Sequence, residues 1–315
     1  MTHILHYFVL VVLIFTPYSS TLANTVTVAS WNMRWLDSQS ERPESLRRTA
    51  DYQAMANTVK QLDADVIAFQ EVADEQSLLL VMDVDNDSLS NSRYRIELST
   101  RQAHSKPSRS GIRWEQYVGF AIRPHIAYYR NPDLIALDTT KQHYLRYGVD
   151  ITLLDNTRQP RLRLLTVHLK SGCFSAKSRK KNCKQLKQQF EAIEHWVEKR
   201  YKEKQPFIVL GDFNRYLTAP NDWLWRELND GFPFGLTLYA ATSGQKSNCT
   251  VRRYSRHKKR WFTHNYRQFI DHMIMGSTTK SMMVSGSFKQ HEFQPNSVSH
   301  FNTSDHCPIK ATLNL

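Results

Sequence analysis

Residues 24–315 predict an α/β fold in which β-sheets pack face to face with helices on the outside. Three observations predict it. Short apolar runs of strand character are numerous, only two long helical stretches stand out, and the two kinds mix without the alternation of a doubly wound parallel sheet. The 315 residues, 41% of them hydrophobic, can bury one large core or two modest ones. No repeat, low-complexity tract or Pro/Gly/Ser-rich linker divides residues 24–315, so a single domain is expected.

The elements follow in order. "TVTVASWN" alternates Val26 and Val28 with polar residues, as a strand does. Residues 44–62 read as a helix, with Tyr52, Met55, Val59 and Leu62 on one face. "DVIAFQEV" is a short apolar strand ending on Gln70 and Glu71, and a polar loop is expected over 83–92. Strands are expected near 94–99, 117–122 and 126–130, and "RLRLLTVHLKS" forms another that ends at His168. A second helix spans 184–200, striped by Leu186, Phe190, Ile193 and Val197. "FIVLGDFN" is a buried strand, 221–229 a short helix, and the last strands lie near 268–275, 283–289 and 307–313.

The first 23 residues stand apart. Tyr7–Thr16 is apolar but short for a membrane span, and Thr21-Leu22-Ala23 offers small residues for cleavage before Asn24. The stretch before it has His3 and His6 but no Lys or Arg, so an uncleaved anchor stays open beside a signal peptide. A cleaved leader implies a secreted or periplasmic protein without stable membrane insertion. Cys173, Cys183, Cys249 and Cys307 then suggest two disulfides, of three pairings available; the short separation favours Cys173–Cys183, leaving Cys249–Cys307. The net charge of +13 favours polyanionic partners, with nucleic acid, anionic lipid and phosphorylated small molecules all open.

Strand ends carry the chemistry. Apolar runs deliver Asn32, Glu71, His168, Asp212 with Asn214, and Asp271, while Asp305-His306 precedes the last strand. One Asp at a strand end is usually a turn former. Repeated endings converge on a common cleft in layered sheets, and converging carboxylates need a cation among them; Mg²⁺ takes one or two carboxylates plus water and phosphate. In-line displacement at phosphorus also needs a base for the water and a proton for the departing alkoxide, for which His306 and His168 are the candidates. Asp212 and Asn214 are expected to face one way through the two-residue strand period, with Phe213 between them pointing into the core.

At these residues the sequence resembles the endonuclease/exonuclease/phosphatase superfamily, and within it the DNase I-like nucleases. "SWNMRWL", "AFQEV", "EQYVGFAIRP", "TVHLKSG", "LGDFN", "FIDHMIM" and "SDHCPI" run in the family's order from Asn32 to His306. The resemblance implies a four-layer α/β sandwich of two mixed sheets with flanking helices. It implies Glu71 as principal Mg²⁺ ligand with Asn32 and Asp305 near the metal, Mn²⁺ or Ca²⁺ staying open. Asp212 and Asn214 orient water and phosphate, His306 is the base oriented by Asp271, and His168 contacts the phosphate or protonates the leaving oxygen. Glu115, two residues before Tyr117, would partner His168, and Arg146 would contact phosphate.

Two basic stretches lean toward nucleic acid. Lys170, Lys177, Arg179, Lys180, Lys181, Lys184 and Lys187 form one. The other holds Arg252, Arg253, Arg256, Lys258, Lys259, Arg260 and Arg267, interleaved with Tyr254, Trp261, Phe262 and Tyr266. The favoured reading is an exported, Mg²⁺-dependent, sequence-nonspecific DNase, monomeric, that leaves 5′-phosphates. A phosphoinositide phosphatase or sphingomyelinase-like headgroup hydrolase is the alternative, although no exposed apolar hairpin is evident in the sequence. A catalytically retired DNA-binding protein is the non-enzymatic alternative.

Overall fold

The computed structural model describes residues 25–40, 45–82, 94–103, 115–140, 144–176 and 181–315. The expected leader, the polar loop at 83–92 and three of the basic residues (Lys177, Arg179 and Lys180) lie outside the described residues. The strands are β1 (Thr25–Leu36), β2 (Val66–Val72), β3 (Arg95–Leu98), β4 (Tyr117–Ile122), β5 (Tyr128–Arg130), β6 (Val149–Leu154) and β7 (Pro160–His168). They continue with β8 (Phe207–Asp212), β9 (Leu238–Ala240), β10 (Cys249–Ser255), β11 (Arg260–Tyr266), β12 (Asp271–Gly276), β13 (Lys289–Gln290) and β14 (Ile309–Asn314). The helices are α1 (Thr49–Leu62), α2 (Glu75–Met82), α3 (Lys181–Lys202), α4 (Trp223–Leu228), α5 (Ser277–Met282) and α6 (Pro295–His300).

Two six-stranded sheets form, ordered β13-β14-β1-β2-β4-β3 and β5-β6-β7-β8-β12-β9. Each is mixed: β1 runs parallel to β2 and β7 parallel to β8, while the remaining pairs are antiparallel. Strand alternation sets the layers. Along β8, Ile208 and Leu210 enter the core between the sheets with Val28, Phe120 and Met273. Phe207 and Val209 point the other way, onto Phe190, Ile193 and Val197 of α3. On the far side Met55 and Val59 of α1 cover Ile67 and Phe69 of β2. Helix, sheet, sheet, helix is the four-layer sandwich the resemblance implies.

The elements depart from expectation where tertiary bonds override local pattern. The helix expected from 44 starts at Thr49, because Arg47 is drawn inward. Its guanidinium donates to the carbonyls of Met33 (3.0 Å), Arg34 (2.7 Å), Trp35 (3.0 Å), Asn302 (3.1 Å) and Thr303 (2.8 Å). The strand expected over 283–289 is not formed; Met283 makes one bridge to Leu313 and Gly286 turns the chain at φ +71° before the two-residue β13. Strands β6, β9, β10 and β11 and helices α2, α5 and α6 escaped the sequence reading. The pair β10–β11 is a two-stranded sheet of its own, with no strand ladder to either large sheet.

Candidate active site

The parallel pairing of β7 with β8 sets His168 beside Asp212. Gly211, at φ +138°, lets the two strands approach there: a Cβ on it would lie 2.0 Å from the Val167 carbonyl oxygen. The strand ends at Asp212, and the geometry beyond is a turn, which corrects the two-residue strand argument. Asn214 adopts φ +52°, its backbone N–H donates to Asp212 Oδ1 (2.8 Å) and its amide donates to Oδ2 (3.1 Å). An Asx-type turn thus aims both side chains together. Phe213 enters the core, edge-on to Phe190 and His272.

Opposite, β1 and β2 both bulge. Their register slips between Asn32 and Leu36, with Arg34, Trp35 and Glu71 all at positive φ. Such irregularities re-aim side chains, and a left-handed non-glycine residue costs about 1–3 kcal/mol, held here by surrounding bonds. Glu71 accepts from the Trp35 backbone N–H (3.1 Å) and from Asn32 Nδ2 (3.2 Å). The same Nδ2 donates to Asp212 Oδ2 (3.0 Å), so Asn32 ties the carboxylates of the two sheets together; its Oδ1 accepts from the Arg34 N–H (2.9 Å).

The two histidines differ in charge. His306 Nδ1 lies 2.8 Å from Asp271 Oδ2, and its Nε2 is 3.9 Å from Asp212 Oδ2. Burial disfavours its charged form, but Asp271 and Asp212 outweigh that and hold it well above the usual histidine range. His168 is well below that range, through burial and then the nearby Arg146 and His306. Its Nε2 is 3.5 Å from Asp212 and 3.6 Å from Glu71, and its Nδ1 lacks a hydrogen-bond partner among the described residues. Burial pushes Asp212 up to about 7 and raises Glu71, to which Asp305 adds.

The expected Glu115–His168 pairing is not formed. Glu115 binds Arg101 instead, at 2.5 Å, and that guanidinium also lies 5.1 Å from the Tyr117 ring centroid. A buried cation inside the fold outcompetes a neutral imidazole for a carboxylate. Arg146 does reach the site: it is buried, donates to the Leu169 carbonyl (3.1 Å), leaves its Nε without a partner among the described residues, and lies within the fields of Glu71 and Asp212. Lys170 is half-buried nearby, its ammonium on the Ser171 carbonyl (3.1 Å). The second basic stretch divides. Arg253 reaches Asp305 (3.5 Å), Arg252 stacks on Trp261 (4.7 Å to the centroid), and Lys258 and Lys259 occupy the exposed turn that leads to Arg260. Cys173 pairs with Cys183 and Cys249 with Cys307.

Arg34, Arg47 and Arg101 were missed, since arginines in a sequence read as surface. Arg34 is buried at the bulge, 3.7 Å from Asp305, and donates to the Arg252 carbonyl (3.0 Å). Its place within "SWNMRWL" was the available signal.

Behind the site, His272 is fully buried, with Nδ1 at Thr242 Oγ1 (2.7 Å) and Nε2 at the Arg215 carbonyl (2.9 Å). Burial lowers its pKa to about 4. Unfolded histidine takes a proton near 6.5, so this contribution to stability is complete above that pH and is lost as pH falls toward about 4. The expected loss is on the order of 3 kcal/mol. Urea unfolding across that window should show it, and His272→Gln should flatten the dependence; an unchanged slope in the variant would assign the acid sensitivity elsewhere.

Glu71 and Asp305 line one polar pocket of about 210 Å³ with Arg34, Trp35, Arg253 and His306. Glu71 with His168 and Asp212, and Asp212 with Asp271 and His306, each bring donor atoms within 4.8 Å of one another. Asp305 belongs to neither group, being turned toward Arg34 and Arg253. Hard carboxylate oxygens gathered this closely, with Glu71 raised by burial and by the charge of Asp305, fit a divalent cation, so the donor set suits the expected metal.

Known proteins share this arrangement of sheets. TDP2 from C. elegans superposes with a TM-score of 0.58 at 20% identity, over 92% of this chain and 75% of that one. The 3′ phosphatase NExo from Neisseria, solved with a product DNA hairpin, gives 0.55 at 14% identity, over 92% of this chain and 100% of that one. The human Nocturnin catalytic domain, with bound sulfate, gives 0.54 at 13%, over 91% and 93%. These likenesses concern the fold, and no curated protein sequence matches the chain. The sequence model of the Endonuclease/Exonuclease/phosphatase family, whose enzymes are divalent-metal-dependent, matches residues 29–306, and the chain belongs to that family.

Proposed function

We propose that the chain is an exported phosphodiesterase that cleaves DNA without sequence preference, using Mg²⁺ and a water activated by His306. The observation that carries the reading is the Asp271–His306–Asp212 series, with neutral His168 and buried Arg146 beside it. Asp271 fixes the imidazole so that Nε2 faces Asp212 and the cleft. There Nε2 takes the proton from the water whose oxygen bonds to phosphorus, the P–O3′ bond breaks, and the departing O3′ takes up a proton from solvent in the cleft. Asp212 and Asn214, held in one turn, orient the water and phosphate, and the Arg146 Nε, without a partner among the described residues, suits a phosphate oxygen. Glu71 and Asp305, with Asn32 alongside, would hold the metal, whose positive charge offsets theirs and the phosphate's and disfavours the proton on His306.

The two disulfides suit an oxidising compartment, and the leader over 1–23 followed by one catalytic domain over 24–315 is part of the proposal. Among the described residues no helix is long and apolar enough to cross a membrane.

The lipid-headgroup reading has one observation in its favour that the sequence did not show. Phe232 and Phe234 are 61% and 98% exposed. They precede β9, which pairs with Ile274–Gly276, the end of β12 away from Asp271. A membrane met there would face the wrong end of the sheet.

Supercoiled plasmid incubated with the protein and Mg²⁺ should be nicked and then fragmented, and EDTA should abolish both. Nicking that survives the chelator would overturn the metal dependence. Intact plasmid with release of phosphate or phosphocholine from lipids would establish the second reading.

A further inference from the structure

The register of the β10–β11 hairpin sets Arg253 opposite Phe262, Val251 opposite His264 and Cys249 opposite Tyr266. Paired residues share a face, and side chains two apart along a strand share it too. Phe262, His264 and Tyr266 therefore form a row, with ring centroids 6.4 and 4.4 Å apart. Phe262 is 39% exposed and His264 is exposed as well. The hairpin has no strand ladder to either large sheet. Its inner end is anchored, with Cys249 and Val251 buried beside Trp31 and Cys307, while Phe262 and His264 toward the turn stay exposed. The row points somewhere definite. Tyr266 lines a cleft of about 390 Å³ that opens beside His306 and Asp271, whose other walls include Phe174, Tyr216, Gln268 and Gln290. Arg260 and Arg253 share the face of the row, one at the hairpin turn and one at the cleft.

We propose that this row is a stacking track for an unpaired strand, so that the enzyme acts on single-stranded or frayed DNA in preference to duplex. The proposal rests on the nuclease reading above and deepens it. A duplex offers phosphates to the arginines, but its base faces are covered by their neighbours. Flat rings spaced along a basic face gain from bases whose faces are free, whatever their sequence. The cleft has the size of a small-molecule site, mixes aromatic and amide walls, and can seat one base next to the scissile phosphate only if that base has left its stack. Stacking on the row and seating in the cleft both select an unpaired strand.

The test uses the full chain with its disulfides intact and Mg²⁺ present. A short oligonucleotide and the same oligonucleotide annealed to its complement are compared as substrates. The single strand should be cleaved with kcat/KM at least about tenfold higher. The double variant Phe262→Ala/His264→Ala should lose most of that preference, and Phe262→Leu, which keeps bulk without a flat face, should lose part of it. Fluorescence anisotropy of a labelled single strand in EDTA gives a second reading, with affinity expected to fall about tenfold in the double variant. Equal rates on the two substrates, or a preference and affinity untouched by the substitutions, would overturn the track and leave the nuclease reading standing. If the wild type hydrolyses bis(p-nitrophenyl) phosphate but neither oligonucleotide, the nuclease reading falls and this inference with it.

Discussion

His306→Ala should lower turnover on plasmid DNA by roughly 10²–10⁴-fold, the range for a general acid–base group. The physical reason is local. Asp271 holds Nδ1 at 2.8 Å, and the other nitrogen faces Asp212, leaving no second imidazole in the same orientation. His168 does not replace it, because its Nε2 lies between Glu71 and Asp212 instead. Any change in stability reports the loss of the ion pair between Asp271 and the partly solvent-accessible His306 imidazole. Nicking kinetics and a thermal melt on the same preparation separate the two effects. Wild-type nicking would remove His306 from the chemistry, and a melt as depressed as the rate would make its role structural.

Asp222→Ala should have the largest effect on stability. Arg215 is completely buried. Its Nε donates to Asp222 Oδ2 (2.7 Å), its Nη1 donates to the carbonyls of Cys173 (2.8 Å) and Ser175 (2.9 Å), and Trp223 lies over it at 5.2 Å. Removing the carboxylate leaves a buried guanidinium uncompensated, which costs about 3–5 kcal/mol. It also removes the cap of α4, where Asp222 Oδ1 accepts from the Trp225 N–H (3.1 Å), for roughly 1 kcal/mol more. Urea midpoints should register the sum, and Asp222→Asn, which can still cap, should lose less. A cost below about 1 kcal/mol would mean that the guanidinium finds water or another acceptor on removal of its partner.

The layered fold was legible because strand periodicity is local. Ile208 and Leu210 alternate with Phe207 and Val209 in the sequence, and the same alternation divides the inner core from the helix-covered face. The site was legible for a related reason: polar residues that end apolar strands stand out against them. What stayed hidden depends on long-range bonds. Arg47 looks like a surface residue of a helix until five carbonyls from two distant segments surround it. Glu115 sits in the right motif, yet Arg101 claims it. Glu71 was visible as an acid at a strand end, but its left-handed backbone accompanies the slip in register between β1 and β2, which only the paired strands reveal. Asp212 and Asn214 face one way, through a turn and not a pleat. The hairpin went unread as strands because its exposed polar and aromatic residues obscure the alternation of a half-buried sheet.

The bridge between Cys249 and Cys307 closes a ring across 58 positions, and both Asp271 and His306 lie inside it. Before folding, those two residues belong to a closed loop, not to an open chain. The chain-entropy model values such a closure at roughly 4 kcal/mol, taken from the unfolded ensemble. Part of the search that brings carboxylate and imidazole together is therefore finished when the sulfurs join. The hairpin, which owes no hydrogen-bond ladder to either sheet, is moored to the residue next to His306 by the same covalent link. Oxidation of one cysteine pair thus shortens the path to the proton-transfer pair and fixes where the hairpin stands beside it.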